Sequence, residues 1–107
     1  MSQYDPIALN DQAEAADSKA LRDRMAAERE AADIRWLMES EQGRRIVWRL
    51  LNQSGVFRSS FSSDALAMAF SEGNRNIGLQ LMAQVHELCP DMYPEMVREA
   101  NARNLDD

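Results

Sequence analysis

Cys89 and His86 stand three residues apart, with Asp91 close behind, and they are the chain's nearest approach to a nucleophilic pair. On a helix, that spacing brings a thiol and an imidazole to one face, where the imidazole can take the thiol proton. A working pair also needs a third group that orients the base. Without one, the ordinary reading is a helix end at which both residues happen to fall, with Cys89 acting as a small hydrophobe. The second chemistry-bearing group is basic. Arg44, Arg45 and Arg49 have the type and spacing to grip phosphate: Arg45 and Arg49 share a helical face, and Arg44 lies one turn from Trp48. The competing use of these arginines is ion pairing to the acidic helices, which the acidity of the whole chain favours.

Other chemistries are excluded by composition. His86 is the only histidine, so a two-histidine zinc site within one chain is impossible. The four glycines are scattered singly and form no phosphate-cradling loop. The carboxylates sit mostly at solvent spacing in acidic helices. The sequence therefore predicts no catalytic residue, no cofactor and no metal ligand.

At 107 residues, the chain has room for one small domain with a modest core. A lone cysteine cannot form an internal disulfide, and nothing asks for an oxidising compartment. No apolar run approaches the length of a membrane span, and MSQYDPIALNDQ does not read as a signal peptide. The net charge of −6 is unevenly spread. Residues 1–42 carry ten acids against five bases, residues 43–86 two acids against five bases, and residues 87–107 six acids against two bases. An acidic chain with a basic middle is a poor general binder of nucleic acid and a good candidate for docking to a complementary protein surface.

These residues must be positioned by helices, since no strand-like alternation occurs anywhere. The expected fold is all-α: a small bundle of three to four helices with a long N-terminal helical arm. Residues 1–10 read as extended, because Asp5-Pro6 disfavours helix before it and Asn10 or Asp11 can cap a helix starting there. From Asp11 to Met38 the chain is rich in Ala, Glu, Arg and Leu. The first part of that helix lacks large apolar residues, so residues 1–32 are expected to be an extended segment and a helical arm that depends on a partner. Residues 33–101 form the expected compact domain, and residues 102–107 an acidic tail.

Within the domain, Ser40 is the natural N-cap of a second helix and Gly55 its stop. Ile46, Val47, Leu50 and Leu51 form its apolar face. Trp36 and Trp48 are expected to shoulder the core, and Val56, Phe57 and Phe61 to fold back as apolar pins. A third helix after Ser63 carries Leu66, Phe70, Gly73, Ile77, Leu81, Val85 and Leu88 as a full-length core stripe, the strongest periodic signal in the chain. Gly73 and Gly78 interrupt it, and their expected use is the close approach of another helix. A fourth helix runs from about Asp91 to Asn101, with Tyr93, Met96, Val97 and Ala100 facing in. The shared interior is expected to contain Ile46, Val47, Leu50, Leu51, Ile77, Leu81 and Val85.

Three blocks carry a further signal: Asp33-Ile34-Arg35-Trp36-Leu37-Met38, then Gly43-Arg44-Arg45-Ile46-Val47-Trp48-Arg49-Leu50-Leu51, then Gly55-Val56-Phe57-Arg58-Ser59-Ser60-Phe61. With Glu72-Gly73-Asn74-Arg75-Asn76-Ile77-Gly78-Leu79 and the closing Pro90, Tyr93, Met96 and Glu99-Ala100, they resemble a family of small proteins of short-tailed phages. The family is typified by a structural-region protein of a Bordetella podovirus, and the likeness covers about residues 33–100. It implies a minor virion or virion-assembly protein, made in the bacterial cytoplasm and present in the particle in several symmetric copies. Its implied partners are other virion proteins: portal, tail adaptor or internal core proteins. Neither a specific nucleic acid nor a membrane is expected.

Arg44, Arg45, Arg49 and Arg58, flanked by Trp36 and Trp48, are then the candidate contact patch for an acidic partner surface. The internal alternative ties Arg45 or Arg49 to Glu39, Glu41 or Glu99. The competing function is a small acidic phage protein that binds and modulates a host protein.

Overall fold

The computed structural model describes residues 6–106, which form four helices: α1 (Pro6–Met38), α2 (Glu41–Ser54), α3 (Ala65–Leu88) and α4 (Met92–Asp106). The architecture is all-α, a small helical bundle with no strand among the described residues. The chain divides into two units, residues 1–32 and 33–107.

In the first unit, α1 begins at Pro6, so residues 6–10 are helical and not extended. Proline suits the first helical position, where its fixed φ is already helical and its missing N–H would be unpaired anyway. Asn10 lies inside the helix and donates to Glu14 at 3.3 Å instead of capping. Residues 1–5 of the expected extended segment lie outside the described residues. Lys19 and Asp23 form an exposed i,i+4 ion pair at 3.4 Å. Residues 6–30 are exposed throughout, Ile7, Leu9, Leu21 and Met25 included.

In the second unit, local chemistry sets the helix ends. Ser40 is extended at φ −108° and ψ 151°, and its hydroxyl accepts from the Gly43 N–H at 3.0 Å. Gly55 ends α2 in the left-handed region at φ 82°, which a side chain would strain. The Asp64 carboxylate caps α3 by accepting from Leu66 and Ala67. Pro94 falls in the first turn of α4, where a proline is tolerated. Helix α4 continues past the expected end at Asn101 through Asp106, because Ala102, Arg103 and Leu105 contain no breaker, so residues 102–106 are helical.

The core is small: Met38, Val47, Leu51, Val56, Val85 and Met96 are buried together. Ile34, Leu37, Trp48, Leu81, Met82, Cys89, Met92 and Tyr93 pack against it. Helix α2 touches both α3 and α4 and is the centre of the packing.

Three expected core members are displaced from it. Leu50 is 46% exposed, Ile77 is 66% exposed, and Ile46 is only half-buried. The long stripe on α3 is buried only towards its C-terminal end. Leu81, Val85 and Leu88 are at least partly covered, while Leu66 and Phe70 stand in solvent. Helix α3 instead turns its Gly78 and Met82 side inward, because Gly78 offers the closest approach to α2.

That approach separates the two α3 glycines. A Cβ on Gly78 would collide with the Ser54 hydroxyl and the Val56 side chain, whereas one on Gly73 would meet nothing within 4 Å. The close approach expected for both is thus found only at Gly78, against the end of α2 and Val56. Gly73→Ala is expected to stabilise the protein by about 0.5–1 kcal/mol through helix propensity. Gly78→Ala is expected to destabilise it by about 1–3 kcal/mol through overpacking. Thermal unfolding of the two variants should shift in opposite directions.

Candidate functional site

Arg44 is not on the surface. It is 9% exposed and reaches across from α2 to Glu99 of α4, itself 6% exposed. Its Nε donates to both carboxylate oxygens at 3.0 and 3.1 Å, and Nη2 donates to Glu99 Oε1 at 2.6 Å. Nη1 donates to the Met38 carbonyl at 2.9 Å, tying the end of α1 into the same knot. The bond to Glu99 raises the Arg44 pKa above its ordinary value, against the opposing pull of burial. This is the internal ion pair that was open for Arg45 or Arg49, and it falls on Arg44 instead. The signal was present: Arg44 lies in helical register with Val47 and Leu51, and Glu99 lies in register with Met96, so both occupy apolar stripes.

The remaining predicted contact residues are split by the fold. Arg45 and Arg49 are exposed on α2, and neither makes an ion pair among the described residues. Trp36 is 72% exposed and borders a shallow apolar groove of about 330 Å³ with Leu37, Gly43 and Ile46. Trp48 is half-buried and packs on Phe57, with ring centroids 5.2 Å apart. Phe57, not an arginine, is therefore the stacking partner of Trp48. Arg58 lies past the end of α2, where Nη2 donates to the Asn52 carbonyl at 3.0 Å.

The Cys89–His86 pair does not assemble a nucleophile. His86 is exposed and stacks on Tyr93, with ring centroids 4.4 Å apart. Burial pushes the Cys89 thiol above its ordinary pKa, only partly offset by the charge of Arg35. A raised pKa lowers the thiolate fraction near neutral pH, and the thiolate is the reactive form. Alkylation of Cys89 by iodoacetamide at pH 8 is accordingly expected to be several-fold slower in the folded protein than in urea. Equal rates would contradict that placement.

The feature that sequence reasoning misassigned is the exposed half of α3. Leu66, Phe70 and Ile77 are respectively 82%, 73% and 66% exposed, and Phe61 in the preceding loop stands equally free. Ile77 continues into an apolar groove of about 340 Å³ between α2 and α3, shared with Leu50 and Leu81. Scattered surface apolar residues are normal, but three large ones at helical spacing on α3, with Phe61 exposed in the loop before it, are more than scatter. The periodicity marks an apolar stripe, but the expectation that all of it is core fails for this half, which α2 does not cover.

A family model described as Bbp19-like phage protein matches residues 34–98. The chain belongs to that family. The matched segment contains the buried Arg44, the exposed Arg45 and Arg49, the Arg58 loop and the apolar half of α3, so the Bbp19-like region includes all of these features. No curated protein and no solved structure matches the chain. No helix in the described residues is long and apolar enough to cross a membrane, and they contain no cluster of potential metal ligands.

Proposed function

We propose that this Bbp19-like protein is a minor structural or assembly protein of a tailed phage particle. It docks on other virion proteins in the head–portal–tail region or among the internal proteins. The observation that carries this reading is the apolar face of Phe61, Leu66, Phe70 and Ile77, left uncovered in a phage-family chain. Arg45 and Arg49, with no ion pair among the described residues, add positive charge on α2, which suits a partner face with an acidic margin. Trp36 adds a large exposed aromatic of the kind that dominates interface energetics. Arg44 has no part in it, because it is spent on Glu99. Residues 1–32 serve as an arm that a virion partner covers.

Purified particles test this directly. A stoichiometric band near 12 kDa is expected, and its absence would shift the reading to a small acidic protein that acts on a host protein. A chain carrying Leu66→Ser, Phe70→Ser and Ile77→Ser should fold, since each side chain is already in water, yet fail to enter particles. Normal incorporation of that variant would remove the α3 face from the interface.

A further inference from the structure

Past Gly55, the chain turns into an Arg-Ser-Ser loop, and there the surface holds two adjoining cavities against α3. Their volumes are about 250 and 400 Å³, and Arg58, Ser59, Ser60 and Arg75 line both. Ser71 and Asn74 add to the wall of the smaller one. Although the chain carries 18 acids, no carboxylate lines either cavity among the described residues. Two guanidinium groups therefore share a space with hydroxyl and amide donors and with no counter-charge.

Arg75 carries the argument furthest. Its Nε is buried with no hydrogen-bond partner among the described residues. That atom is closed to solvent, so what Arg75 can offer a ligand in the adjoining cavity is the N–H donors of its two terminal nitrogens. Arg58 is preset from the other side. The left-handed Gly55 at φ 82° brings the loop round so that Arg58 Nη2 donates to Asn52 at 3.0 Å. That bond also answers the partial negative charge of the α2 C-terminus, which would otherwise repel an anion. A guanidinium has five N–H donors, so others remain for a ligand. The Ser59 hydroxyl accepts from the Phe61 N–H at 3.2 Å, which leaves its own proton to donate.

We propose that this pocket binds a phosphate dianion, either free or as a terminal monoester. Charge selects the class: two guanidinium groups are neutralised by one dianion, while a carboxylate or a phosphodiester supplies a single charge. The donor set agrees, because forked N–H pairs and hydroxyl groups match the several oxygens of a tetrahedral oxyanion. The smaller cavity is ample for such an ion with residual water, given that one water takes about 30 Å³ of liquid. The site is independent of the apolar face on α3 and stands whether or not that face docks in a virion.

Calorimetric titration of the full chain with inorganic phosphate, at ionic strength held constant with chloride, tests the proposal. Saturable binding is expected, weakened about tenfold or more by Arg75→Gln and by Arg58→Gln, and unchanged by Arg45→Gln as a control for bulk charge. Arg58 is exposed, so its variant remains informative if Arg75→Gln disturbs the fold, which circular dichroism reports. Ribose 5-phosphate in a parallel titration separates the sources. Binding equal to that of phosphate or tighter points to a monoester, and weaker binding points to the free ion. No binding beyond the chloride control overturns the site. So does retention of affinity in both Arg75→Gln and Arg58→Gln, or tighter binding of acetate or of an oligothymidylate without terminal phosphate.

Discussion

Arg44→Ala is expected to lower the free energy of unfolding by about 3–5 kcal/mol, because it leaves the Glu99 carboxylate buried without its counter-charge. A domain of this size commonly has only about 5–15 kcal/mol in total, so the variant should be close to unfolding at 37 °C. The loss has two sources beyond the ion pair itself. The Met38 carbonyl forfeits the 2.9 Å bond from Nη1, and the volume of the side chain is vacated between α2 and α4. Removing both charges is a different experiment. Arg44→Met combined with Glu99→Leu takes away the desolvated ions together, and such replacements are often neutral or stabilising. Urea denaturation of the two singles and the double forms a cycle, and a double variant far more stable than Arg44→Ala is the expected result. The exposed Arg98–Glu95 pair provides the contrast. Its carboxyl is held below the ordinary range by the bond from Arg98, but both groups face water, and Arg98→Ala should leave the midpoint unmoved. If Arg44→Ala behaved like Arg98→Ala, the buried pair would not be holding α2 to α4.

Sequence and structure agree best where one residue decides the outcome locally. Ser40, Gly55 and Asp64 act through their own backbone or side chain within a turn; Ser40 and Gly55 mark the ends of α2 as expected, and Asp64 caps the helix that begins after Ser63. Pro6 acts just as locally, but its place at a first helical position competes with an extended segment reaching Asn10, and the helix won. Choices that depend on a distant element were harder to read. Periodicity shows that α3 has an apolar face, yet it does not say whether α2 or a second protein covers that face. Gly78 decides the part that involves α2, because a side chain there would collide with Ser54 and Val56, and with Gly78 turned to α2, Leu66, Phe70 and Ile77 stay exposed. The same limit applies to the arginines. Adjacent in sequence, Arg44 and Arg45 point to opposite fates, since neighbouring residues lie about 100° apart around a helix. Register with Val47 takes Arg44 inside and leaves Arg45 in water. At the Arg58 loop the sequence supplied the donors, but Arg75, one helix away, became their companion only through the fold.

Leu50 and Leu51 turn that rotational argument into a measurement. Both were expected in the core; the structure buries Leu51 completely and leaves Leu50 46% exposed at the rim of the α2–α3 groove. Leu51 sits among Val47, Val56, Val85 and Met96, all buried and apolar. Leu51→Ala is therefore expected to cost about 2–5 kcal/mol, the sum of lost transfer energy and a residual cavity. Leu50→Ala should cost about 1 kcal/mol or less, since part of its surface is already hydrated and the groove can relax. The comparison is internal, because the two substitutions delete the same atoms from adjacent positions of one helix and share nearly the same unfolded state. Denaturation midpoints with unchanged m-values would report the difference as stability alone. A reversed order would mean that α2 presents its other side to the bundle, which would also bring Ile77 inside and cover the groove. The expected order instead leaves Leu50 available beside Ile77, and a virion partner seated there would make Leu50→Ala weaken incorporation without weakening the fold.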